Sequence, residues 1–240
     1  MSHVPTFDPV FFQRLKQAEK NHFWFVTRRK WIFEKIRKFS PPPAILLEVG
    51  CGTGNVSSYL AKKGYQVTGC EYYQEAISTA WPGFHIIQGD AQNLPFADSS
   101  FDIVGIFDVI EHFQDDTALI REATRVVRKG GIIAVSVPAR EELWSFVDEA
   151  SYHKRRYEKE NLERIFSDSL LTPLSIEYIF MSLYVPMKFT RRAGRKNDNM
   201  FAINKVVNGM MKGLFTLERI FSRGFPLPIG TSLIAVAQKN

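Results

Sequence analysis

Cysteine is scarce in this sequence. Only Cys51 and Cys70 occur among 240 residues, and neither stands at a metal-ligand spacing. A disulfide framework and a zinc-ribbon scaffold are thereby excluded; reduced thiols in a cytoplasmic protein are expected, and no metal site is. Long apolar runs are missing too, since no window approaches the ~18 residues of a membrane-spanning helix. The N-terminus carries Asp8 and no continuous apolar stretch, so it does not read as a signal peptide. Internal repeats and low-complexity tracts are absent, and an apolar content of 45% suits one well-filled α/β domain. The net charge of +6 is moderate and gathers at Arg28-Arg29-Lys30, Lys154-Arg155-Arg156 and Arg191 to Lys196. Such clusters serve anionic substrates, membrane surfaces or nucleic acid, or are plain solvated faces.

What is present is ordered around Leu46-Leu47-Glu48-Val49-Gly50-Cys51-Gly52-Thr53-Gly54-Asn55-Val56. An apolar run ends in an acid, three glycines follow at alternate positions, and a helix-compatible segment comes next. That is a buried strand, a turn free of side chains and a helix start whose backbone N–H groups face a ligand. A dinucleotide fingerprint has glycine at relative positions one, three and six. Here the sixth position is Asn55. Glu48 would also repel a pyrophosphate and suits a cationic ligand instead.

Two more apolar runs end in acids. Tyr65-Gln66-Val67-Thr68-Gly69-Cys70-Glu71 reads as a second strand, and Phe84-His85-Ile86-Ile87-Gln88-Gly89-Asp90-Ala91 as a third. A carboxylate at Glu71 can accept two hydrogen bonds from a ribose diol, or is a solvated loop acid. Asp90 can accept from an adenine amino group while the Ala91 N–H reaches the ring.

The glycine turn with its acid resembles motif I (E/D-x-G-x-G-x-G) of the class I S-adenosylmethionine-dependent methyltransferases. The run Gly89-Asp90-Ala91, Leu94-Pro95-Phe96 and Ser100-Phe101-Asp102-Ile103-Val104 is similar to their small-molecule, ubiquinone-type group. The resemblance covers residues 20–160 and the terminal strand, and is weak across 183–226. It implies S-adenosyl-L-methionine as cofactor and S-adenosyl-L-homocysteine as product. Gly50, Cys51, Gly52, Gly54 and Asn55 would form the cofactor loop, with Glu48 near the methionine moiety. Glu71 and Tyr72 would meet the ribose, Asp90 and Ala91 the adenine, and Phe107 and Asp108 close the set at the end of strand four.

The acceptor side is less defined. Asp108-Val109-Ile110-Glu111-His112 resembles the D-x-x-E-H segment of ubiquinone-type O-methyltransferases. His112 is a candidate general base with Glu111 orienting it, or it braces the loop by a backbone hydrogen bond. His153 and Tyr157 are a second candidate set, in a W-S…D…H-K-R-R-Y phrase similar to relatives acting on sugar, lipid or polyketide-like acceptors. Lys154, Arg155 and Arg156 either hold an acidic acceptor or form a solvated loop. Asn21-His22-Phe23-Trp24-Phe25 with Arg28-Arg29 resembles a helix that closes over the acceptor; as an apolar stripe it also reads as core.

The expected fold is α/β, a three-layer Rossmann-like sandwich. Strands are expected at 45–49, 66–70, 84–88, 101–107, 131–137 and 174–182, and helices at 55–63, 73–80, 114–128 and 158–169. Lys129-Gly130-Gly131 reads as a helix stop, and 138–157 as a loop. The resemblance implies a seven-stranded, mostly parallel sheet with an antiparallel last strand, and the terminal apolar run is expected to form it at the sheet's edge. One methyltransferase domain over 1–240 is expected: an N-terminal helical cap (1–43), a cofactor-binding core (44–182), a helical insertion (183–226) and a terminal strand (227–240). In the insertion, Met200, Ile203, Val206, Val207, Met210, Met211, Leu214, Leu217, Ile220 and Phe221 form a wide apolar face, with Lys205, Lys212, Arg219 and Arg223 around it. That pattern suits peripheral membrane contact through 188–223, a lid over a hydrophobic acceptor, or packing on the domain or a second subunit. The expected partner is a small-molecule or lipid-linked methyl acceptor. A nucleic-acid or protein methyltransferase, or a non-catalytic cofactor-binding protein, are the alternatives. No Asn-Pro-Pro or Asp-Pro-Pro stretch follows strand four, and no Pro-Cys nucleophile occurs, which disfavours nucleic acid.

Overall fold

In the computed structural model, which describes residues 9–192 and 202–240, the apolar runs pair into one sheet. Its strands are β1 (Ile45–Val49), β2 (Gln66–Glu71), β3 (His85–Gln88), β4 (Phe101–Phe107), β5 (Val127–Pro138), β6 (Leu171–Ile179) and β7 (Ser232–Lys239). They lie in the order β3-β2-β1-β4-β5-β7-β6. The first five are parallel, and β7 is antiparallel to both its neighbours. The helices are α1 (Pro9–Asn21), α2 (Phe23–Phe39), α3 (Asn55–Ala61), α4 (Gln74–Ser78), α5 (Asp116–Val126), α6 (Phe146–Ala150), α7 (Lys159–Asp168), α8 (Tyr184–Arg192) and α9 (Lys205–Phe221). Asp8, the side chains from Arg191 to Lys196, and Met200 lie outside the described residues. No described helix is long and apolar enough to cross a membrane.

Parallel strands carry their helices on the sheet faces, so both faces must be apolar. On one face Val104, Ile106 and Val135 pack with Leu119 and Ile120 of α5 and Leu162 and Phe166 of α7. On the other, Leu46, Ile103 and Ala134 pack with Trp31 and Ile32 of α2, Val56 and Leu60 of α3 and Phe215 of α9. The result is the expected three layers.

Three local expectations are corrected. β7 is not an edge strand: it lies between β5 and β6. Its residues Ser232 to Ala237 are buried, whereas β6 leaves Thr172, Pro173 and Leu174 exposed, so the more polar strand takes the rim. Lys129-Gly130-Gly131 is not a helix stop. α5 ends at Val126, and those residues lie within β5, where Gly130 has φ 75° and the register with β4 shifts. The 138–157 segment holds α6, nucleated by a capping box between Ser145 and Asp148.

The helical insertion packs on the N-terminal cap through polar groups. Asn208 of α9 accepts from the Phe23 N–H at 2.7 Å and donates to the Asn21 carbonyl at 2.8 Å, bridging the break between α1 and α2. Glu218 accepts from the Met181 and Ser182 N–H groups at 2.9 and 2.8 Å, and Arg219 pairs with Glu34 of α2. The apolar anchor is Phe215, fully buried between Phe23 and Phe180. Most of the expected apolar face points outward: Val206, Met210 and Leu217 are 70, 70 and 68% exposed. Phe215→Ala is expected to destabilise the fold by about 3–5 kcal/mol, read as a lower urea midpoint. Leu217→Ala, on the outer face, is expected to change it by less than ~0.5 kcal/mol.

Candidate functional site

The end of β1 runs into the glycine turn, and its backbone is left-handed at all three glycines: Gly50, Gly52 and Gly54 have φ of 63°, 55° and 76°. A Cβ on Gly54 would collide with the Phe84 ring, whereas one on Gly52 would meet nothing within 4 Å. Gly54 is therefore required by packing and backbone together, while Gly52 opens toward free space, where a ligand can lie against the chain. The Gly50 and Cys51 N–H groups both donate to the Cys70 carbonyl, at 2.8 and 3.2 Å, which ties the turn to β2.

Three buried carboxyl groups surround this turn. Glu71, at the end of β2, accepts from the Gly52 N–H at 2.7 Å and the Tyr73 N–H at 2.9 Å. Glu48 lies beneath the turn and accepts from the Ser57 hydroxyl at the start of α3. Glu19 of α1 comes over the top, accepting from the Thr53 hydroxyl at 2.5 Å and the Trp81 indole at 2.8 Å, while its carbonyl accepts from Asn55 at 3.5 Å. Burial raises all three carboxyls above their ordinary range, Glu48 to about 7. The Cys51 thiol is raised as well, and Cys70 reaches about 12, so neither is a nucleophile at neutral pH. Tyr72 is half exposed beside Glu71, and Asp90 accepts from the Gln92 N–H at 2.9 Å at the mouth of β3, next to Ala91.

At the end of β4, Phe107 is buried and Asp108 turns into the left-handed region at φ 56°. Asp108 pairs with Arg28 of α2 and accepts from the Ser136 hydroxyl at 3.2 Å. Arg28 in turn lies 5.0 Å from the Trp24 ring centroid. The short turn Ile110–His112 follows, and the α6 loop folds back on it: the Lys154 N–H donates to the Glu111 carbonyl at 2.7 Å. This brings the His112 and His153 rings to 4.9 Å, with His153 Nε2 4.0 Å from Glu111 Oε1. His153 Nδ1 is 3.0 Å from Asp148, which also receives Arg156 at 2.7 Å. Burial, with the His153 ring as a lesser cause, lowers His112 to about 4, so it is a neutral imidazole at pH 7. Burial also holds Glu111 well above the usual carboxylate range.

Glu111, His112 and His153 are therefore neighbours. The Tyr157 hydroxyl is turned elsewhere, donating to Asp116 at 2.9 Å from a side chain that is 1% exposed. Among the described residues, three of the clustered arginines are paired within the protein. Arg28 is buried on Asp108, Arg155 binds Asp116 and the Gln114 carbonyl, and Arg156 binds Asp148 and the Ala139 carbonyl. Sequence reasoning missed Glu19, Asp148 and Trp81. Glu19 carried a signal, since an acid four residues after Leu15 and three before His22 sits on the apolar stripe of its helix. The S-x-x-D spacing of Ser145 and Asp148 was also readable as a helix start.

The raised Glu48 has a definite consequence. Its carboxyl releases its proton near the usual 4.5 in the unfolded chain and near 7 in the fold, so the folded state binds more protons between those values. Stability then falls as pH rises through that window and levels off above it. Glu48→Gln is expected to gain stability over the native chain across pH 4.5 to 7, by up to about 3 kcal/mol, in urea titrations without ligand.

Comparison with known proteins finds relatives for the segment that carries the glycine turn. A family model described as a methyltransferase domain matches residues 47–135. A probable S-adenosylmethionine-dependent methyltransferase of Mycobacterium tuberculosis is 31% identical over 122 residues, covering 50% of this chain and 44% of that protein. A malonyl-[acyl-carrier protein] O-methyltransferase of Enterobacter lignolyticus is 28% identical over 152 residues, covering 60% and 59%. The chain thus spans about half the length of these relatives. Phosphoethanolamine N-methyltransferase 2 of Haemonchus contortus, solved with S-adenosyl-L-methionine, aligns over 97% of this chain and 57% of its own at a TM-score of 0.64 and 16% identity, a likeness of fold. Residues 47–135 thus match the methyltransferase-domain family, and that part of the chain is similar in sequence to S-adenosylmethionine-dependent methyltransferases.

Proposed function

We propose that this chain transfers the methyl group of S-adenosyl-L-methionine to an oxygen of a small-molecule or lipid-linked acceptor. The observation that carries the reading is the ring of buried carboxyls, Glu19, Glu48 and Glu71, around a glycine turn that is open at Gly52. A cofactor bearing a sulfonium and an ammonium offsets their desolvation, and a pyrophosphate would not. Gly50, Cys51, Gly52, Gly54 and Asn55 line the cofactor, Glu48 sets a negative field at the methionine end, and Glu71 with Tyr72 meets the ribose. Asp90 and Ala91 meet the adenine, and Phe107 with Asp108 closes the pocket. When bound, the cofactor supplies an electrophilic methyl carbon; the chain holds the acceptor in line with it, at about 3–3.5 Å. His112, neutral and at the end of β4, is the candidate to take the hydroxyl proton. The malonyl-[acyl-carrier protein] O-methyltransferase relative favours oxygen, and the unpaired thiols of Cys51 and Cys70 suit a reducing, cytoplasmic setting.

Lipid-linked acceptors are favoured by α9, which turns its hydrogen-bonding side chains inward and its apolar ones outward. Val206, Met210, Leu214, Leu217 and Phe221 form an exposed stripe at helical spacing, with Lys205 at its start. Arg219 and Arg223, expected among its flanking cations, pair instead with Glu34. The stripe supports peripheral contact with a membrane surface within 188–223.

Two measurements test these readings. Calorimetry with S-adenosyl-L-methionine is expected to show binding by the native chain and at least tenfold weaker binding by Glu71→Ala; no native binding, or unchanged binding by the variant, sinks the cofactor assignment. The native chain is expected to sediment with anionic vesicles at low salt, and the double variant Met210→Glu, Leu217→Glu to stay in solution. Equal behaviour of the two removes the membrane reading.

A further inference from the structure

The turn after β4 and the loop carrying α6 set three donors of metal-binding type side by side. Glu111, His112 and His153 each offer one ligand atom, and these atoms lie within 4.8 Å of one another. Glu111 is 0% exposed, and neither of its carboxylate oxygens has a hydrogen-bond partner. A carboxylate withdrawn from water is normally hydrogen-bonded, ion-paired or bound to a metal, because solvation lost must be replaced.

The surroundings of His153 determine which of its nitrogens faces Glu111 as an acceptor. Its Nδ1 lies 3.0 Å from Asp148 Oδ1. Asp148 is fully buried and accepts from Arg156 at 2.7 Å and from the Ser145 N–H at 2.9 Å, the bonding pattern of an ionised carboxylate. An ionised Asp148 requires the proton on Nδ1, which leaves the Nε2 lone pair directed at Glu111 Oε1, 4.0 Å away. That separation is too long for a hydrogen bond. Two metal–ligand bonds of about 2.0–2.2 Å meeting at a tetrahedral angle set their ligand atoms about 3.3–3.6 Å apart, so this pair closes on an ion with a contraction of under about 1 Å. His112 supplies the third donor, its ligand atom lying within 4.8 Å of the other two. The carboxylate behind a ligating imidazole is the usual way such a ring is oriented.

We propose that Glu111, His112 and His153 bind one divalent first-row transition-metal ion, with Asp148 as the positioning residue of His153. Two imidazoles and one carboxylate form a donor set used by zinc and ferrous iron, with coordination positions left open. The ion would sit beside Asp108 at the end of β4, where an open position polarises an acceptor hydroxyl and eases loss of its proton. That last consequence rests on the proposed transfer to oxygen, and there the metal replaces His112 as the group that eases proton loss; the metal binding itself does not rest on that reading.

The test uses the full chain, stripped with a chelator and titrated with Co²⁺ by visible absorption and with Zn²⁺ by calorimetry. The expected result is one ion per chain, with a d–d absorption band for Co²⁺. Glu111→Gln and His153→Ala are expected to weaken binding at least tenfold, and Asp148→Asn about 10–100-fold, with circular dichroism unchanged. Failure of the native chain to take up one equivalent overturns the proposal without need of any variant. So does uptake that Glu111→Gln and His153→Ala leave intact. Binding of S-adenosyl-L-methionine, measured on the same metal-free protein, separates loss of this site from failure of the transfer reading.

Discussion

Three carboxyl groups withdrawn from water around one glycine turn are the constraint on which this structure hangs. Glu19 comes from α1, Glu48 from β1 and Glu71 from β2, and each satisfies its oxygens with donors from the turn or the start of α3. Thr53 and Ser57 give hydroxyls to Glu19 and Glu48, and the Gly52 N–H reaches Glu71 because the turn's glycines adopt left-handed backbone that other residues rarely accept. The hydrogen bonds compensate the desolvation only partly, and the carboxyls stay protonated to higher pH than usual. A site poised in this way is tuned for positive charge, and its electrostatics join the fold to the proposed cofactor.

The second knot lies at the end of β4, and it is built differently. There the acids and bases of the α6 loop pair among themselves: Arg156 with Asp148, Asp148 with His153, Arg155 with Asp116. The arginines of this loop are thus part of an internal lattice that pins it, and Glu111 is the acid whose carboxylate oxygens are left without a hydrogen bond. Arg28 does the same from the opposite side, anchoring α2 to Asp108. Charge counted along the chain overstated charge available to a partner, because burial favours pairing over exposure.

The helical insertion reverses the ordinary amphipathic rule. Asn208, Glu218 and Arg219 face the domain, Phe215 is its one fully buried apolar anchor, and the broad apolar stripe faces out. Polar groups on the inner face can be specific because each meets a defined backbone or ionic partner. The outward stripe is then free for an acceptor or a membrane surface.

The sequence by itself determined the alternation of strands and helices, the glycine turn and the acids at the strand ends. Those features are written in local periodicity and in backbone conformations that single residues permit. It also made Glu111, His112 and His153 candidates, but not neighbours, since two separate loops must fold together to bring them within reach. Tertiary structure alone decided that β7 lies between β5 and β6, that Lys129-Gly130-Gly131 extends a strand, and that Tyr157 turns to Asp116. It also placed Glu19 over the glycine turn and oriented α9. These outcomes depend on which distant surfaces bury one another, and pairing between remote segments leaves no periodic signal in either one.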